Sequence, residues 1–365
     1  MKNDRTAREA PRFGMPEGAA EREGIVYADA RRAPFRIYGV APGAEGEQMR
    51  RLPPQVAEAT SREVARLSLC TAGGRVRFAT DSPYIAVFCR YGVEMAAMDH
   101  FAATGSHGID LYRDEECGGS FRSAFAGAYR PGLPIRPTFS GIVNVGEGGL
   151  RSYTLNLPLY APVCELWIGI REGSRLEEGI AYPNERPIVY YGSSITQGGC
   201  ASRPGMSYQA QISALRNLDY LNLGFSGSAR GEEAIVSYMA GLDPLVFVSD
   251  YDHNAPTAEH LAATCEALYR AVRAKHPDLP YLFVSAPLPF APGGRMAQGR
   301  EVILALCRRA LAEGDRRVAF VDGAEIFEGV CKDGCTVDGT HPTDFGFFRM
   351  VCSTRIPARW LAILR

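Results

Sequence analysis

A hydroxyl that attacks a carbonyl needs a neutral imidazole to take its proton, a carboxylate to hold that imidazole in one tautomer, and N–H donors where oxyanion charge develops. This sequence offers each of these groups. "VYYGSSITQGG", Val189 to Gly199, presents Ser193 and Ser194 in a glycine-flanked turn. "VDGTHPTDFGF" sets Asp338 three residues before His341, so one loop can hold both side chains on one side. "NLGFSGSAR", Asn222 to Arg230, supplies a backbone N–H at Gly224 or Gly227, and "SDYDHNAP", Ser249 to Pro256, supplies the Asn254 amide.

Such groups must be carried to one place by the elements around them. Short apolar runs at Ile188–Tyr191, Tyr220–Leu223, Leu245–Ser249, Tyr281–Ser285 and Val318–Val321 read as buried strands. They alternate with helical patterns at Ser207–Arg216, Glu232–Ala240, Ala258–Lys275 and Met296–Ala312. Strand, helix, strand repeated in this way predicts a parallel sheet covered on both faces, with ligands at the strand C-terminal ends. The candidate residues fall just after those strands or in the last loop.

The front half has a different rhythm. From about Val64 to Ser174 apolar and polar residues alternate in short runs such as "VRFATDSPYIAVFCRYGV", "GIDLYRDEECGGSFRSAFAG" and "RSYTLNLPLYAPVCELWIGI". These predict antiparallel strands in an all-β sandwich of jelly-roll type, with the first sixty or so residues adding strands or a wrapping loop. The charged, Gly- and Pro-bearing stretch Arg171–Pro187 marks the boundary, which divides the chain into residues 1–178 and 179–365.

Composition narrows the partners. With 40 basic against 41 acidic residues, the chain lacks the charge footprint of a nucleic-acid or anionic-membrane binder. The charged N-terminus holds no signal-like apolar run and no later stretch has the length of a membrane span, so a cytoplasmic location is expected. Most of the ten cysteines sit within apolar patterns and read as reduced core thiols. Cys331 and Cys335 are the close pair, and without a second cluster they do not make a zinc site. Neither a metal nor a cofactor is called for, and oligomeric state is left open.

Taken together and in order, the Gly-x-Ser-Ile turn, the Asn-x-Gly-x-Ser-Gly loop, the post-strand asparagine and the terminal Asp-x-x-His resemble the four blocks of the SGNH, or GDSL-type, hydrolase family. "HGIDLY", His107 to Tyr112, is similar to the Gly-x-Asp-Leu-Tyr signature of the jelly-roll domain that precedes one esterase branch of that family. The resemblance implies a flavodoxin-like three-layer α/β/α domain with Ser194 as nucleophile, His341 as general base and Asp338 as its orienting carboxylate. It implies an oxyanion hole made of the Ser194 N–H, the Gly227 N–H and the Asn254 amide. Two positions depart from the pattern: the usual Asp before the nucleophile is Ser193, and block three reads Tyr-Asp-His-Asn.

The expected activity is hydrolysis of short-chain, above all acetyl, esters of a carbohydrate or other small polyol, because the glycine-rich "QGGCASRPG" predicts an open, polar approach. An acyltransferase using the same acyl-serine and a non-catalytic carbohydrate-binding protein are the alternatives. A metal-dependent deacetylase would need more ligands than Asp252 and His253 provide. His253 rivals His341 as base, but beside Asp252 it reads as a loop-fixing residue. His100, His107, His260 and His276 have no carboxylate at useful spacing and read as structural or exposed. Arg230 and Glu232 read as charges at a helix start, and Asp110 and Tyr112 as a buried turn anchor.

Overall fold

A computed structural model of the chain describes residues 10–41, 48–92, 98–115, 118–125, 137–184, 186–287 and 294–353. Residues 1–9 of the charged N-terminus, Val93, residues 116–117 and 126–127 of the expected strands, and Glu185 of the expected boundary lie outside them.

The front half contains β1 (Phe13–Gly14), β2 (Ile25–Asp29), β3 (Arg36–Tyr38), β4 (Arg75–Thr80), β5 (Tyr84–Tyr91), β6 (Ile109–Glu115), β7 (Gly118–Phe125), β8 (Thr138–Asn144), β9 (Arg151–Asn156), β10 (Val163–Arg171) and β11 (Leu176–Glu177). One antiparallel sheet has the order β1-β2-β10-β5-β8; the other has β11-β4-β9-β6-β7, with β3 on β4. Period-two patterning builds the sandwich between them. Val76 and Phe78 of β4, Leu155 of β9 and Leu111 of β6 meet Ile85 and Val87 of β5 and Leu166 and Ile168 of β10 in one core. Trp167, between Leu166 and Ile168, faces the other way onto Tyr27 and Phe88.

The alternation expected from Val64 begins later. Pro54–Thr60 and Arg62–Leu67 form two helices, α1 and α2, the second capped by Ser61, whose Oγ accepts the Val64 N–H at 3.2 Å. "VAEATSREVARL" places its apolar residues at helical rather than strand spacing, so Ala57, Val64 and Leu67 share a buried face. That face does not join the sandwich. It packs with Phe225, Ile235 and Met239 in the rear half.

The rear half is a parallel sheet of β12 (Ile188–Gly192), β13 (Tyr220–Gly224), β14 (Val246–Asp250), β15 (Tyr281–Val284) and β16 (Val318–Val321), in the order β13-β12-β14-β15-β16. Its helices, after the short α3 (Ala103–Ser106) of the front half, are α4 (Ser194–Gln197), α5 (Tyr208–Arg216), α6 (Glu233–Ala240), α7 (Ala258–Lys275), α8 (Arg295–Ala312), α9 (Gly323–Ile326) and α10 (Asp344–Ser353). Strand β12 is apolar throughout because it is covered on both faces. Val189 and Tyr191 face the core under α6, α7 and α8, while Ile188 and Tyr190 face α5 and α10. This is the flavodoxin-like three-layer arrangement, and its switch point lies at β12, where the chain leaves for one edge and later returns to the other side.

Buried polar contacts join the halves. Asp110 on β6 accepts the Gly205 N–H at 2.8 Å, an Arg203 N–H at 3.1 Å and the Asn156 amide at 2.7 Å, and the Tyr112 hydroxyl accepts from Arg203. The Gly-x-Asp-Leu-Tyr stretch thus anchors the turn that follows the Ser194 loop. Arg51, fully buried, donates to the carbonyls of Leu67, Cys70, Asn222 and Gly224, and burial pushes its guanidinium down to about 10.

Candidate active site

Strand β12 ends at Gly192, where a Cβ would stand 2.0 Å from Thr196 Oγ1 and 2.2 Å from the Asp250 carbonyl, so only glycine fits this bend. Ser193 follows as the N-cap of α4, its Oγ accepting the Ile195 N–H at 3.2 Å. That is the work an Asp would do there, without the charge. Ser194 is then the first residue of α4, just past the carboxyl end of β12.

His341 reaches Ser194 from the last loop, with Nε2 2.9 Å from Ser194 Oγ and Nδ1 2.7 Å from Asp338 Oδ2. The other oxygen of Asp338 accepts the backbone N–H of Thr340 at 2.9 Å and of His341 at 2.7 Å. Burial acts to raise the Asp338 pKa, but the His341 N–H, its imidazole and the Thr340 N–H outweigh it and push it down to about 2. A carboxylate ionised at neutral pH only accepts, so Nδ1 carries the imidazole proton and Nε2 is free to accept from the Ser194 hydroxyl.

The expected oxyanion donors lie in Ser194 itself and in two loops tied to its turn, through Ser226 N–H on Gln197 Oε1 and Asn254 on Phe225 O. The N–H groups of Ser194 and Gly227 donate to no acceptor among the described residues, whereas their neighbours are committed: Ser193 N–H to Asp250 O, Ser226 N–H to Gln197 Oε1, Ser228 N–H to Phe225 O. Gly227 has φ +68° and is exposed, a left-handed turn position that glycine occupies without strain. Asn254, in a short turn after β14, uses one amide hydrogen on Phe225 O at 3.0 Å, which fixes the side chain against the Gly227 loop and leaves the second hydrogen uncommitted.

The rival base His253 is not the partner of Ser194: its buried Nε2 makes no hydrogen bond among the described residues. Ser194 Oγ pairs with His341, while Asp252 accepts the Ala286 N–H at 2.8 Å, which secures the block-three loop. Burial pushes the Asp252 carboxyl up to about 6 and the His253 imidazole down to about 4. Arg230 donates its N–H to Glu232 at the start of α6, and its carbonyl meets His260 Nε2 at 2.9 Å.

Two expectations need correction. "QGGCASRPG" does not form an open approach: Gln197 to Ala201 are buried, because the front half folds over them and a Cβ on Gly105 would lie 1.9 Å from the Ala201 carbonyl. His100 does have a carboxylate neighbour. Its Nε2 lies 3.7 Å from Asp338 Oδ2 and its ring 5.3 Å from that of His341, a proximity created only when the front half docks. Phe101 stacks edge-on against His341 at 5.5 Å and Tyr160 donates its hydroxyl to the Ser194 carbonyl at 3.3 Å, so the front half supplies part of the site wall. No local spacing in the sequence signals these three residues.

Comparison with known proteins agrees with this architecture. The GDSL-like Lipase/Acylhydrolase family matches residues 185–355, and the GxDLY family, the N-terminus of Esterase_SGNH_hydro-type, matches residues 25–176. A structure described as a GDSL-like lipase from Bacteroides ovatus is 27% identical, with 93% of this chain and 98% of that one aligned at a TM-score of 0.80. Salicylyl-acyltransferase SsfX3 from a tetracycline biosynthetic pathway is 18% identical over 94% and 99% of the two chains, TM-score 0.74, and shares the fold. So does a family two carbohydrate esterase from Clostridium thermocellum, solved in complex with cellohexaose, at 16% identity, 80% and 94% coverage and TM-score 0.56. No curated protein matches the sequence. A GxDLY-type front half joined to a GDSL-like rear half makes this chain a member of the SGNH/GDSL hydrolase family, an ester-hydrolysing enzyme.

Proposed function

We propose that the chain is a serine acylhydrolase that cleaves short-chain, chiefly acetyl, esters of a carbohydrate or other small polyol. The observation that carries this reading is the unbroken hydrogen-bonded series Ser194–His341–Asp338. His341 Nε2 takes the Ser194 proton as Oγ bonds to the ester carbonyl carbon, and Asp338 steadies the imidazolium. The N–H groups of Ser194 and Gly227 and the Asn254 amide hold the oxyanion. Collapse expels the alcohol, protonated by His341, and leaves an acyl-serine; water, deprotonated by the same imidazole, then releases the acid.

A small acyl group is supported by the crowding around the nucleophile. Ser194 is 9% exposed, and Phe101 and Tyr160 stand 4.7 Å apart beside His341 and the Ser194 carbonyl. The sugar half of the substrate is supported by the carbohydrate esterase among the fold neighbours. The acyltransferase neighbour favours a second reading, in which an acceptor alcohol rather than water resolves the same acyl-serine.

A panel of acetylated sugars and p-nitrophenyl esters of rising chain length, run beside Ser194→Ala, tests the proposal. Expected are a preference for acetate and a loss of at least ~10⁴-fold in the variant. Equal turnover by Ser194→Ala rejects it. Adding glycerol or a free sugar separates the readings, since acyl transfer yields a new ester and hydrolysis yields only acid.

A further inference from the structure

The acyl-transfer scheme uses both ring nitrogens of His341 but neither His100 nor Cys200, and these three metal-ligating groups from different parts of the chain meet at one place. One atom each of His100, Cys200 and His341 lie within 4.8 Å of one another. The Asp338 carboxylate adjoins them, 3.7 Å from His100 Nε2. The Cys200 thiol is held in place by donating to the His100 carbonyl at 3.4 Å, and its backbone sits at φ +69°, where a residue other than glycine is uncommon. A cleft of about 540 Å³, lined by Asp99, His100, Phe101, Cys200, Thr343 and Asp344, connects this cluster with solvent.

A thiol with two imidazoles is the donor set of zinc-class cations; calcium and magnesium want oxygen. In a tetrahedral site of that kind, neighbouring donor atoms stand roughly 3.5 Å apart. The three atoms therefore need to draw in by about 1 Å, within the freedom of the exposed His100 ring. We propose that His100, Cys200 and His341, with Asp338 as a fourth donor, form an inhibitory site for a thiophilic divalent cation entering through the cleft. On binding, Cys200 gives its S–H proton to solvent and a metal–sulfur bond replaces it, while the imidazoles donate lone pairs. Either nitrogen of His341 taken by the metal removes the base. Bound through Nε2, the lone pair that receives the Ser194 proton is occupied. Bound through Nδ1, the neutral ring carries its proton on Nε2 and cannot accept another. The inhibition rests on His341 being the base; the metal site itself does not.

Binding is therefore read apart from activity. The metal-free protein is titrated with Zn²⁺ by calorimetry and with Co²⁺ by absorption, in parallel with ester turnover. Expected are one equivalent bound, a near-ultraviolet thiolate-to-cobalt band that disappears in Cys200→Ser, and affinity weakened by about ten-fold or more in His100→Ala. Turnover should fall with the same Zn²⁺ midpoint and return with EDTA, while Ca²⁺ and Mg²⁺ leave it unchanged. No stoichiometric binding, or a cobalt band that survives Cys200→Ser, overturns the site. Stoichiometric binding with full turnover overturns the inhibition. Should Cys200→Ser fail to fold, His100→Ala, altered at an exposed side chain, decides the binding question alone.

Discussion

The turn that carries Ser194 and the loop that carries His341 are held by different means. Around Ser194 the backbone is fixed by groups distant in sequence: Asn222 and Gln209 both donate to the Thr196 carbonyl at 2.7 Å, Phe225 N–H donates to Gly192 O at 2.8 Å, and Tyr160 donates to Ser194 O. The base loop is held mostly by itself. Val337 N–H donates to His341 O at 2.9 Å, Thr343 N–H to Cys335 O at 2.9 Å, and Asp338 caps its own following residues. Val337 and Val330 nearby are 50% and 85% exposed. A nucleophile set by buried long-range bonds opens only when the domain does, whereas a loop closed by local bonds opens at lower cost. The site is thus a rigid hydroxyl met by a more yielding imidazole.

Breaking the loop should therefore cost activity and little stability. His341→Ala removes the proton acceptor and is expected to lower turnover by about 10⁴-fold or more. Its melting temperature should stay near that of the parent, because no long-range bond of the sheet is lost. A large drop in melting temperature would show that the loop is part of the cooperative core. Next in size is Asn254→Ala, which removes one oxyanion donor, worth roughly 3 kcal/mol of barrier, so turnover should fall by ~10² or more with the fold intact. A change within a few-fold denies Asn254 that role.

Breaking the turn should do the opposite. Asn222→Ala leaves the Thr196 carbonyl with one of its two amide donors and the Gly224 N–H, which now donates to Asn222 Oδ1 at 2.9 Å, with none. Each unmatched buried group costs about 1–3 kcal/mol, so stability should fall by that order in denaturant titration, with turnover per folded molecule reduced less than in Asn254→Ala. Unchanged stability would place the rigidity elsewhere.

How much of this was readable in advance follows the same division. Helix Ala258–Lys275 and strand Val318–Val321 have the residue bounds their periodicity predicts, since a repeat of 3.6 or a short apolar run is a local signal. The His341–Asp338 pair was legible because both lie in one loop. Helix α1 falls where added strands or a wrapping loop are expected and α2 where the alternating region is expected to start, because their apolar face serves the rear core rather than the sandwich beside them. His100, Phe101 and Tyr160 left no trace: their role arises where two halves dock, and no spacing within either half encodes that. Cys200, in a glycine-rich stretch expected to lie open, is buried for the same reason.

The two regions also carry carboxylates whose pH effects have opposite signs. Asp338 in the loop is held near 2, below the usual 3.8, so its contribution to stability is present above pH ~3.8 and is lost as pH falls toward 2. Asp250 lies under the nucleophile turn, its backbone carbonyl accepting the Ser193 N–H and its Oδ2 accepting the hydroxyls of Thr196 at 2.9 Å and Tyr208 at 3.2 Å. Burial, with Asp252 nearby, pushes its carboxyl up to about 8. The folded chain then keeps a proton that the unfolded chain releases near 3.8, so stability declines as pH rises from ~4 to ~8. Asp250→Asn keeps an acceptor for the two hydroxyls and removes the titration. Asp252, pushed up to about 6, stays in the variant and leaves a slope at lower pH, so the informative window is pH 6 to 8. There the variant should hold its melting temperature while the parent loses several degrees. Parallel pH profiles would mean that Asp250 is ionised in the native state, and that the buried turn tolerates a charge beneath Ser194.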